Sequence, residues 1–426
     1  MTVAAMPTFR TGAFIDVVFT ESASGRRIAT VNPATGASLA DVAACDATDV
    51  GVAVSAARRV FEAGDWSRLS PAERKDVLLR FASLIEAHTE ELALLDALDA
   101  GKPISDCREI DIPETAKTFR WYAEAADKLY DSIAPTGPEH LGLILREHVG
   151  VVAAVLPWNF PAMMAAWKAA PALAAGNSII LKPAELTPLS TLRMAELASE
   201  AGIPQGVLNV VPGLGEEAGR ALGLHPDVDV LTFTGSTEVG RLFLQYSASS
   251  NLKRVILECG GKSPQIVMAD AGDLDIVADD VVTAGYWNMG ENCTCGSRLL
   301  IDRSIHDDLL EKVIDRTDDW PIGDPLDPIT KIGPMIEPAH HEKVLGYIAL
   351  GAEQGATLVV GGSPVLQETG GYFVEPTVFA DVKPEMQIAR DEIFGPVISV
   401  IPFDTPEEAI EIANGTNYGL AASVWT

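Results

Sequence analysis

Residues 207–246, VLNVVPGLGEEAGRALGLHPDVDVLTFTGSTEVGRLFLQY, contain two apolar runs that are each followed by a segment with helical spacing. Val207–Val211 and Val228–Phe233 are short and rich in β-branched residues, which is typical of buried strands. Glu216–Leu222 and Thr237–Tyr246 carry apolar residues at intervals of three and four, which indicates amphipathic helices. Because strands that alternate with helices form parallel sheets covered by helices, we predict an α/β fold.

The same alternation extends in both directions along the chain. Further strands are predicted at Val151–Leu156, Ser178–Leu181, Val255–Leu257, Gln265–Val267, Leu299–Ile301, Ala356–Val360 and Val397–Ile401. A helix is predicted over Leu189–Ala201, and residues 46–99 are predicted to be helical with Asp49, Ser70 and Thr89 as N-caps. Two Rossmann-type α/β lobes account for the 426 residues, since domains average roughly 150 residues.

Two other segments depart from this alternation. Pro135, Gly137 and Pro138 punctuate two short extended runs within 126–148, which predicts a β-hairpin. Residues 418–426 read as a turn followed by an apolar strand. We interpret this end as a polypeptide that has been cut short, the alternative being a buried C-terminal strand.

The composition excludes several classes of protein. Apolar types make up 47% and charged types 21% of the residues, which fits neither a disordered nor a fibrous chain. The net charge of −29 repels phosphate backbones and anionic lipid, so we expect no nucleic-acid or membrane partner. The 5 cysteines lack paired CxxC spacing, which predicts no disulfide framework and no metal site and favours a reducing cytoplasm. The sequence pattern predicts neither a signal peptide nor a transmembrane segment.

A thiol lies in a loop that two glycines bracket. Cys293 follows Gly290 by three positions, and Gly296 closes the loop, which comes after the helical run 275–285. A thiolate in such a loop gains nucleophilicity at a helix end or beside a general base. The alternative is a small buried hydrophobic residue, which is the commoner environment of a free cysteine.

Two further candidate residues stand where apolar strands end. Glu258 follows the strand Val255–Leu257 and precedes two glycines, so its carboxylate is a candidate general base. The alternative is a surface or salt-bridged residue. Asn159 lies in a turn between Pro157 and Pro161, where a fixed amide can donate into an oxyanion hole. The alternative is an ordinary turn residue.

A glycine turn connects a strand to a helix near Thr234. Gly235 and Ser236 would present backbone N–H groups and a helix N-terminus, an arrangement that binds a pyrophosphate. The segment lacks the strict GxGxxG pattern, so by itself it is a weak indication of nucleotide binding.

In their joint order and spacing, these motifs resemble those of the NAD(P)-dependent aldehyde dehydrogenases. The resemblance covers nearly the whole chain through PWNFP (157–161), LKPAELTPLS (181–190), FTGSTEVGR (233–241), LECGGKSP (257–264), GENC (290–293) and EIFGPV (392–397). Residues 99–103 and 120–124 look most similar to the aminoaldehyde and γ-glutamyl-γ-aminobutyraldehyde branch.

The resemblance implies a site residue by residue. It makes Cys293 the nucleophile, Glu258 the general base, and Asn159 with the Cys293 backbone N–H the oxyanion hole; Lys168 joins this catalytic set. The implied cofactor-binding residues are Trp158, Lys182, Glu185, Gly235, Ser236, Glu392 and Phe394. Cys295 is expected to be only a neighbour, and Glu291 stands where many relatives carry Gln.

The implied reaction is the NAD-dependent oxidation of an aldehyde to the carboxylic acid through a thiohemiacetal and a thioester on Cys293. NAD is favoured over NADP because Glu185 can accept hydrogen bonds from ribose hydroxyls and would repel a 2′-phosphate. Glu258 argues against one alternative, a coenzyme A-acylating aldehyde dehydrogenase, whose members typically lack this base. The joint presence of the nucleophile, the base and Asn159 argues against the other, a catalytically silent nucleotide-binding fragment.

The substrate expectation rests on two carboxylates. Asp111 and Glu114 would share one side of a helix and attract the cationic tail of an aminoaldehyde from polyamine breakdown, whereas the alternative is a solvated acidic face. The expected tunnel walls are Phe160, Met164 and Trp167.

The resemblance also implies a domain organisation. An NAD-binding domain is expected over 1–125 and 149–258, an oligomerisation hairpin over 126–148, and a catalytic domain that lacks its C-terminal part over 259–426. A full-length chain is expected to form a homodimer or homotetramer.

Overall fold

The computed structural model describes residues 7–426, and the chain divides into two compact units. The first comprises Met1–Thr30, of which the first six residues lie outside the described part, and the segments Leu39–Asp96 and Arg108–Glu258. The second comprises Val31–Ser38, Ala97–Cys107 and Cys259–Thr426. Two short stretches of the expected NAD-binding segment 1–125, residues 31–38 and 97–107, belong to the second unit.

The elements before residue 259 alternate as the apolar runs predict. The strands are β1 (Ala13–Ile15), β2 (Val18–Thr20), β3 (Arg27–Asn32), β4 (Ala37–Ala43), β5 (Ser132–Ala134), β6 (Gly142–Ile144), β7 (Val151–Val155), β8 (Ser178–Lys182), β9 (Leu208–Val210), β10 (Val230–Thr234) and β11 (Arg254–Glu258). The helices are α1 (Ala47–Ala63), α2 (Pro71–Ala87), α3 (Thr89–Ala100), α4 (Ile104–Asp106), α5 (Ile112–Ala125), α6 (Pro161–Ala174), α7 (Leu189–Glu200), α8 (Arg220–Leu224) and α9 (Thr237–Ala248). Short π-helical turns, Cys107–Asp111 and Gly215–Gly219, precede α5 and α8.

The main sheet of the first unit is mixed. Its strand order is β11-β10-β7-β8-β9-β1-β2, and the strands from β11 to β9 are parallel, whereas β1 pairs antiparallel with β9 and β2. The central strands β7, β8 and β10 are buried along their whole length, which explains their continuous apolar runs. The carboxyl ends of the parallel strands therefore share one edge of the sheet.

The second unit is built around another mixed sheet. The strands after residue 259 are β12 (Pro264–Val267), β13 (Arg298–Asp302), β14 (Thr357–Val360), β15 (Pro364–Val365), β16 (Phe373–Val374), β17 (Thr377–Ala380), β18 (Val397–Phe403) and β19 (Ser423–Trp425). Of these, β15 and β16 pair only with each other. The α-helices after residue 259 are α10 (Leu274–Tyr286), α11 (His306–Thr317), α12 (Pro338–Glu353), α13 (Gln387–Arg390) and α14 (Pro406–Asn414). The sheet order is β14-β17-β18-β13-β12-β19, with only β14 antiparallel to its neighbour among the described strands.

The predicted α/β class is confirmed, and the differences are local. Asp46, not Asp49, is the N-cap of α1: the Asp46 carboxylate accepts a hydrogen bond from the Thr48 N–H at 2.8 Å. Asp49 instead accepts from the Asp46 N–H at 3.0 Å, as the reciprocal member of a capping box. The prediction of Ser70 as the N-cap of α2 is confirmed, whereas Thr89 is the first residue of α3.

The two segments that depart from the alternation of strands and helices, within 126–148 and 418–426, each contain β-structure. β5 and β6 form the expected antiparallel hairpin, with Ile133 opposite Leu143. β19 pairs with β12 at the edge of the second sheet, and Val424 is largely exposed, so this strand is not fully buried. Within residues 7–426, every helix is too short or too polar to cross a bilayer.

Candidate active site

The first unit places several predicted residues at one edge of its sheet. Trp158 follows β7, Lys182 ends β8, Gly235 follows β10 and Glu258 ends β11. In the parallel pair β10–β11, Thr234 lies opposite Glu258. Ligands of open α/β sheets bind outside the carboxyl ends of the strands, so this edge is the candidate cofactor site of the unit.

An ion pair with a buried lysine fixes one carboxylate at this edge. The Lys182 ammonium group donates to Glu185 Oε2 at 2.7 Å. The Lys182 side chain is 2% exposed and that of Glu185 is 33% exposed. The lysine therefore fixes the carboxylate at this edge of the sheet, with part of the Glu185 side chain exposed.

The glycine turn before α9 has the geometry of an anion site. Ser236 is the N-cap of α9, and its Oγ accepts from the Val239 N–H at 3.2 Å. The Gly235 N–H donates to the carbonyl of Glu258 at 3.1 Å, and a Cβ on Gly235 would lie 2.5 Å from the Phe233 ring. Ser236 is exposed, so the remaining N–H groups of the first turn can bind a phosphate. These N–H donors, together with the Glu185 carboxylate as an acceptor, fit NAD.

The predicted oxyanion and tunnel residues lie around the start of α6. Asn159 and Phe160 are buried immediately before the helix, and Met164 is buried within it. Trp167 is half exposed, and Lys168 is partly buried. Met164 and Lys168 lie four residues apart in α6 and therefore share one face of the helix, while Phe160 is the N-cap residue before it.

The two carboxylates expected to hold a cationic substrate have different environments. Asp111 lies in the π-helical turn Cys107–Asp111 and is buried. Glu114 is partly exposed in α5 and forms an ion pair with Lys117 at 2.7 Å. The two carboxylates therefore differ in exposure, and their joint role in holding a cationic substrate stays a prediction.

In the second unit, close backbone packing builds the loop that contains Cys293. Gly290 has φ +68°, and a Cβ there would lie 2.2 Å from the carbonyl oxygen of Gly395. Only glycine fits this conformation and this contact. The Cys295 N–H donates to the Asn292 carbonyl at 3.0 Å, which closes a turn around Cys293.

The two thiols of this loop differ in exposure. Cys293 is partly exposed, with its Sγ 3.9 Å from Asn292 Oδ1. Cys295 is buried with its Sγ 3.3 Å from the Gly285 carbonyl, and burial raises the pKa of its thiol to about 12. Accessibility thus favours Cys293 as the reactive thiol and Cys295 as a neighbour.

Glu392 and Phe394 lie between α13 and β18. The Gly261 N–H donates to Glu392 Oε1 at 2.9 Å. A Cβ on Gly260 would lie 2.2 Å from Glu392 Oε2, so the carboxylate packs directly against the two glycines. Phe394 has φ +62°, an unusual conformation for an aromatic residue.

Sequence reasoning missed a buried cluster beside the Cys293 loop. Nε2 of His340 lies 2.6 Å from the Phe394 carbonyl oxygen and 3.5 Å from Glu291 Oε1. Glu291 attracted notice only because many relatives carry Gln, and His340 belongs to no recognised motif. The adjacent histidines His340 and His341, near the start of α12, are the one local signal in the sequence.

Comparison with known proteins places the chain in a family. The model described as "Aldehyde dehydrogenase family" matches residues 19–426. Aminoacetaldehyde dehydrogenase of Pseudomonas aeruginosa is 55% identical over 414 residues, which cover 97% of this chain and 83% of that relative. The NADP/NAD-dependent aldehyde dehydrogenase PuuC of Escherichia coli is 49% identical over 413 residues, again 97% of this chain and 83% of that relative.

Solved structures agree with this placement. An indole-3-acetaldehyde dehydrogenase in complex with NAD+ has a TM-score of 0.98 at 55% identity, covering 99% of this chain and 85% of that one. A γ-glutamyl-γ-aminobutyraldehyde dehydrogenase from Burkholderia cenocepacia has a TM-score of 0.97 at 54% identity, with the same coverage.

Fold, strand-edge residues and relatives define an α/β oxidoreductase that uses a nicotinamide cofactor. The chain belongs to the aldehyde dehydrogenase family. The predictions of family, fold, enzymatic aldehyde oxidation and NAD as cofactor are thereby confirmed.

Proposed function

We propose that this chain oxidises a small aldehyde through covalent catalysis at Cys293. The observation that carries this proposal is the partly exposed Cys293 thiol in a glycine-built loop, two residues from a thiol that burial makes unreactive. The Cys293 thiolate attacks the carbonyl carbon of the aldehyde and forms a thiohemiacetal. The carbonyl π electrons move to the oxygen, which becomes an alkoxide.

Hydrogen-bond donors hold the alkoxide. The proposed donors are the buried Asn159 amide and the Cys293 backbone N–H, and each donor of this kind contributes about 10²–10³ in rate. As the C=O bond re-forms, the C–H electron pair leaves as hydride and a thioester remains on Cys293. NAD, when bound, supplies the acceptor for that hydride.

Hydrolysis completes the reaction. The Glu258 carboxylate, partly exposed at the end of β11, takes a proton from a water molecule. The water oxygen attacks the thioester carbon, the C–S bond breaks, and the carboxylic acid leaves as Cys293 regains its thiolate. A coenzyme A-acylating enzyme would instead form acyl-coenzyme A and would tolerate Glu258→Gln.

Residues in each unit are proposed to hold the cofactor. In the first unit, the ion pair of Lys182 with Glu185 is the proposed ribose site, and Gly235 with Ser236 the proposed pyrophosphate site. The remaining proposed contacts are Trp158, Glu392 and Phe394. The negative Glu185 carboxylate would disfavour a 2′-phosphate, so NAD is the proposed preference over NADP.

For the substrate class we propose an aminoaldehyde. Two relatives support this class by name, aminoacetaldehyde dehydrogenase and the γ-glutamyl-γ-aminobutyraldehyde dehydrogenase. An arylacetaldehyde is the second candidate, supported by the indole-3-acetaldehyde dehydrogenase and by the aromatic side chains Phe160 and Trp167 at α6.

The decisive experiment measures NADH absorbance with a matched aldehyde panel. The panel contains 4-aminobutyraldehyde, indole-3-acetaldehyde and hexanal, tested on the wild type, on Cys293→Ala and on Cys295→Ala as the control. We expect NADH formation that Cys293→Ala abolishes and Cys295→Ala retains, with the highest kcat/KM for 4-aminobutyraldehyde. Full activity of Cys293→Ala would reject the assigned nucleophile.

Self-association through the β5–β6 hairpin is also proposed. The support is a concentration of exposed apolar side chains in and around the hairpin, namely Leu129, Tyr130, Ile133, Leu141, Leu143, Ile144 and Leu145. An exposed apolar patch of this kind marks an interaction surface. A homodimer or homotetramer is the proposed assembly.

A cytoplasmic location is proposed on chemical grounds. Catalysis by the Cys293 thiolate requires a reduced thiol, and a reducing compartment maintains it.

A further inference from the structure

Glu291 is anchored at both its backbone and its side chain. It lies two residues before Cys293 and is 1% exposed. Its Oε1 accepts a hydrogen bond from the Ile336 N–H at 3.2 Å, just before α12. Its backbone carbonyl accepts from Asn288 Nδ2 at 2.8 Å. The side chain therefore connects the Cys293 loop to the chain that leads into α12.

His340 extends this connection to residues 391–396, between α13 and β18, which we call the Phe394 segment. Its Nε2 is 2.6 Å from the Phe394 carbonyl oxygen. Because a carbonyl oxygen can only accept, Nε2 carries the hydrogen. The same Nε2 also lies 3.5 Å from Glu291 Oε1, so two oxygen atoms are close to this nitrogen.

Burial shifts the pKa of both side chains in this bridge, Glu291 and His340, toward the uncharged form. It raises the pKa of Glu291 well above its ordinary range, although the nearby Lys102 charge and the Ile336 N–H act in the opposite direction. Burial also lowers the pKa of His340 to about 4, and the Lys343 charge adds to this effect. Burial therefore favours the uncharged form of both side chains in the bridge.

The Cys293 loop and the Phe394 segment also meet through their backbones. Gly290 packs against the carbonyl of Gly395 so closely that a Cβ would lie 2.2 Å from it. The contact from Glu291 through His340 to Phe394 is a second connection between the same two segments, and side chains make it.

We propose that Glu291 is a positioning residue, which through His340 fixes the Cys293 loop relative to the Phe394 segment. The inference rests on the proposed role of Cys293 and adds the element that orients it. Gln at position 291 retains the side-chain acceptor and should preserve the bridge. Leu has a similar volume but no acceptor, so it leaves the Ile336 N–H and the His340 N–H without this oxygen.

The test compares Glu291→Leu with the matched control Glu291→Gln. Cys293 is alkylated by iodoacetamide across a pH series, and the modified peptide is identified by mass, so this readout does not depend on turnover. kcat and KM for NAD are measured in parallel, and circular dichroism monitors the fold. We expect Glu291→Leu to lower kcat about 10-fold or more and to displace the alkylation profile, while Glu291→Gln stays within about 3-fold of wild type.

A second variant covers the case in which Glu291→Leu does not fold. His340→Phe keeps a ring but removes the donor, and we expect the same kinetic defect and the same displaced profile. The proposal is overturned if folded Glu291→Leu or His340→Phe shows the wild-type alkylation profile, or if Glu291→Gln is as defective as Glu291→Leu. Activity in Cys293→Ala would instead refute the proposed nucleophile, so the two failures are distinguishable.

Discussion

At the scale of single residues, burial distinguishes two thiols that lie two positions apart. Cys293 is partly exposed, whereas Cys295 is buried and burial raises its pKa to about 12. A thiol with this pKa stays protonated near neutral pH. Because only the thiolate is nucleophilic, Cys295 should not react.

This contrast predicts selective alkylation. With limiting iodoacetamide at about pH 8, Cys293 should be labelled at least 10-fold faster than Cys295, since the thiolate reacts and only Cys293 is accessible. Peptide mass spectrometry measures both rates. Equal labelling of the two cysteines in the folded protein would contradict the assignment.

Lys262 gives a second prediction at this scale. Its side chain is buried, its Nζ has no hydrogen-bond partner within residues 7–426, and burial lowers its pKa from 10.5 to about 7. The unfolded chain binds the proton up to the ordinary pKa, so the free energy of unfolding should rise between pH 7 and 10.5. This rise in the free energy of unfolding is at most roughly 5 kcal/mol, because each pKa unit corresponds to about 1.4 kcal/mol.

Lys262→Met removes this dependence. The variant should be more stable than wild type by a few kcal/mol near pH 7 and nearly equal to it above pH 10.5, because methionine has no proton to lose. Urea unfolding at both pH values measures the difference. A constant difference across this range would show that the buried ammonium is not its cause.

At the scale of elements, the loop between α10 and β13 depends on one glycine. Gly290→Ala would combine a left-handed φ of +68° with a Cβ 2.2 Å from a carbonyl oxygen, so the backbone must move. We expect kcat to fall by at least 10-fold, because displacement of a nucleophile by about 1 Å costs on the order of 10²-fold.

The matched control is Gly272→Ala. Gly272 has φ +82°, but a Cβ there meets nothing within 4 Å, so the substitution adds backbone strain without a collision. It should lower stability modestly and leave kcat within about 2-fold of wild type. Equal kinetic defects in the two variants would mean that the Gly290–Gly395 contact does not determine the position of Cys293.

At the scale of the whole molecule, the β5–β6 hairpin predicts the assembly state. Ile133 and Leu143 are cross-strand partners, and their exposed fractions are 71% and 59%. The double substitution to Asp should shift the protein to monomers in light scattering, because it places charge in an apolar contact. Glu139→Gln at the tip of the hairpin is the control, and it should leave the assembly unchanged. An unchanged mass for the Asp variant would exclude the hairpin as the contact.

Local patterns predicted most of the sheet, because β7, β8 and β10 are buried runs whose apolar character is visible in the sequence itself. β1 and β2 are only 3 residues long each and escaped prediction. The burial of Asp111 and the π-helical turn Cys107–Asp111 were not predicted, because the interval of three residues to Glu114 indicates only a shared helix side.

The candidate site was predictable where its residues belong to contiguous motifs. Glu258, Cys293 and the Lys182–Glu185 pair lie within such motifs. The contact of His340 with Phe394 joins residues 54 positions apart, so only the folded chain reveals it.

The central claim is that an acyl group is transiently bonded to Cys293. Rapid acid quenching of the Glu258→Gln variant during turnover with NAD and 4-aminobutyraldehyde, followed by peptide mass spectrometry, tests it most directly. We predict that the acyl mass accumulates on the peptide carrying Cys293, because thioester hydrolysis is slowed. NADH formation with the adduct on another residue, or with no adduct at all, would contradict the account.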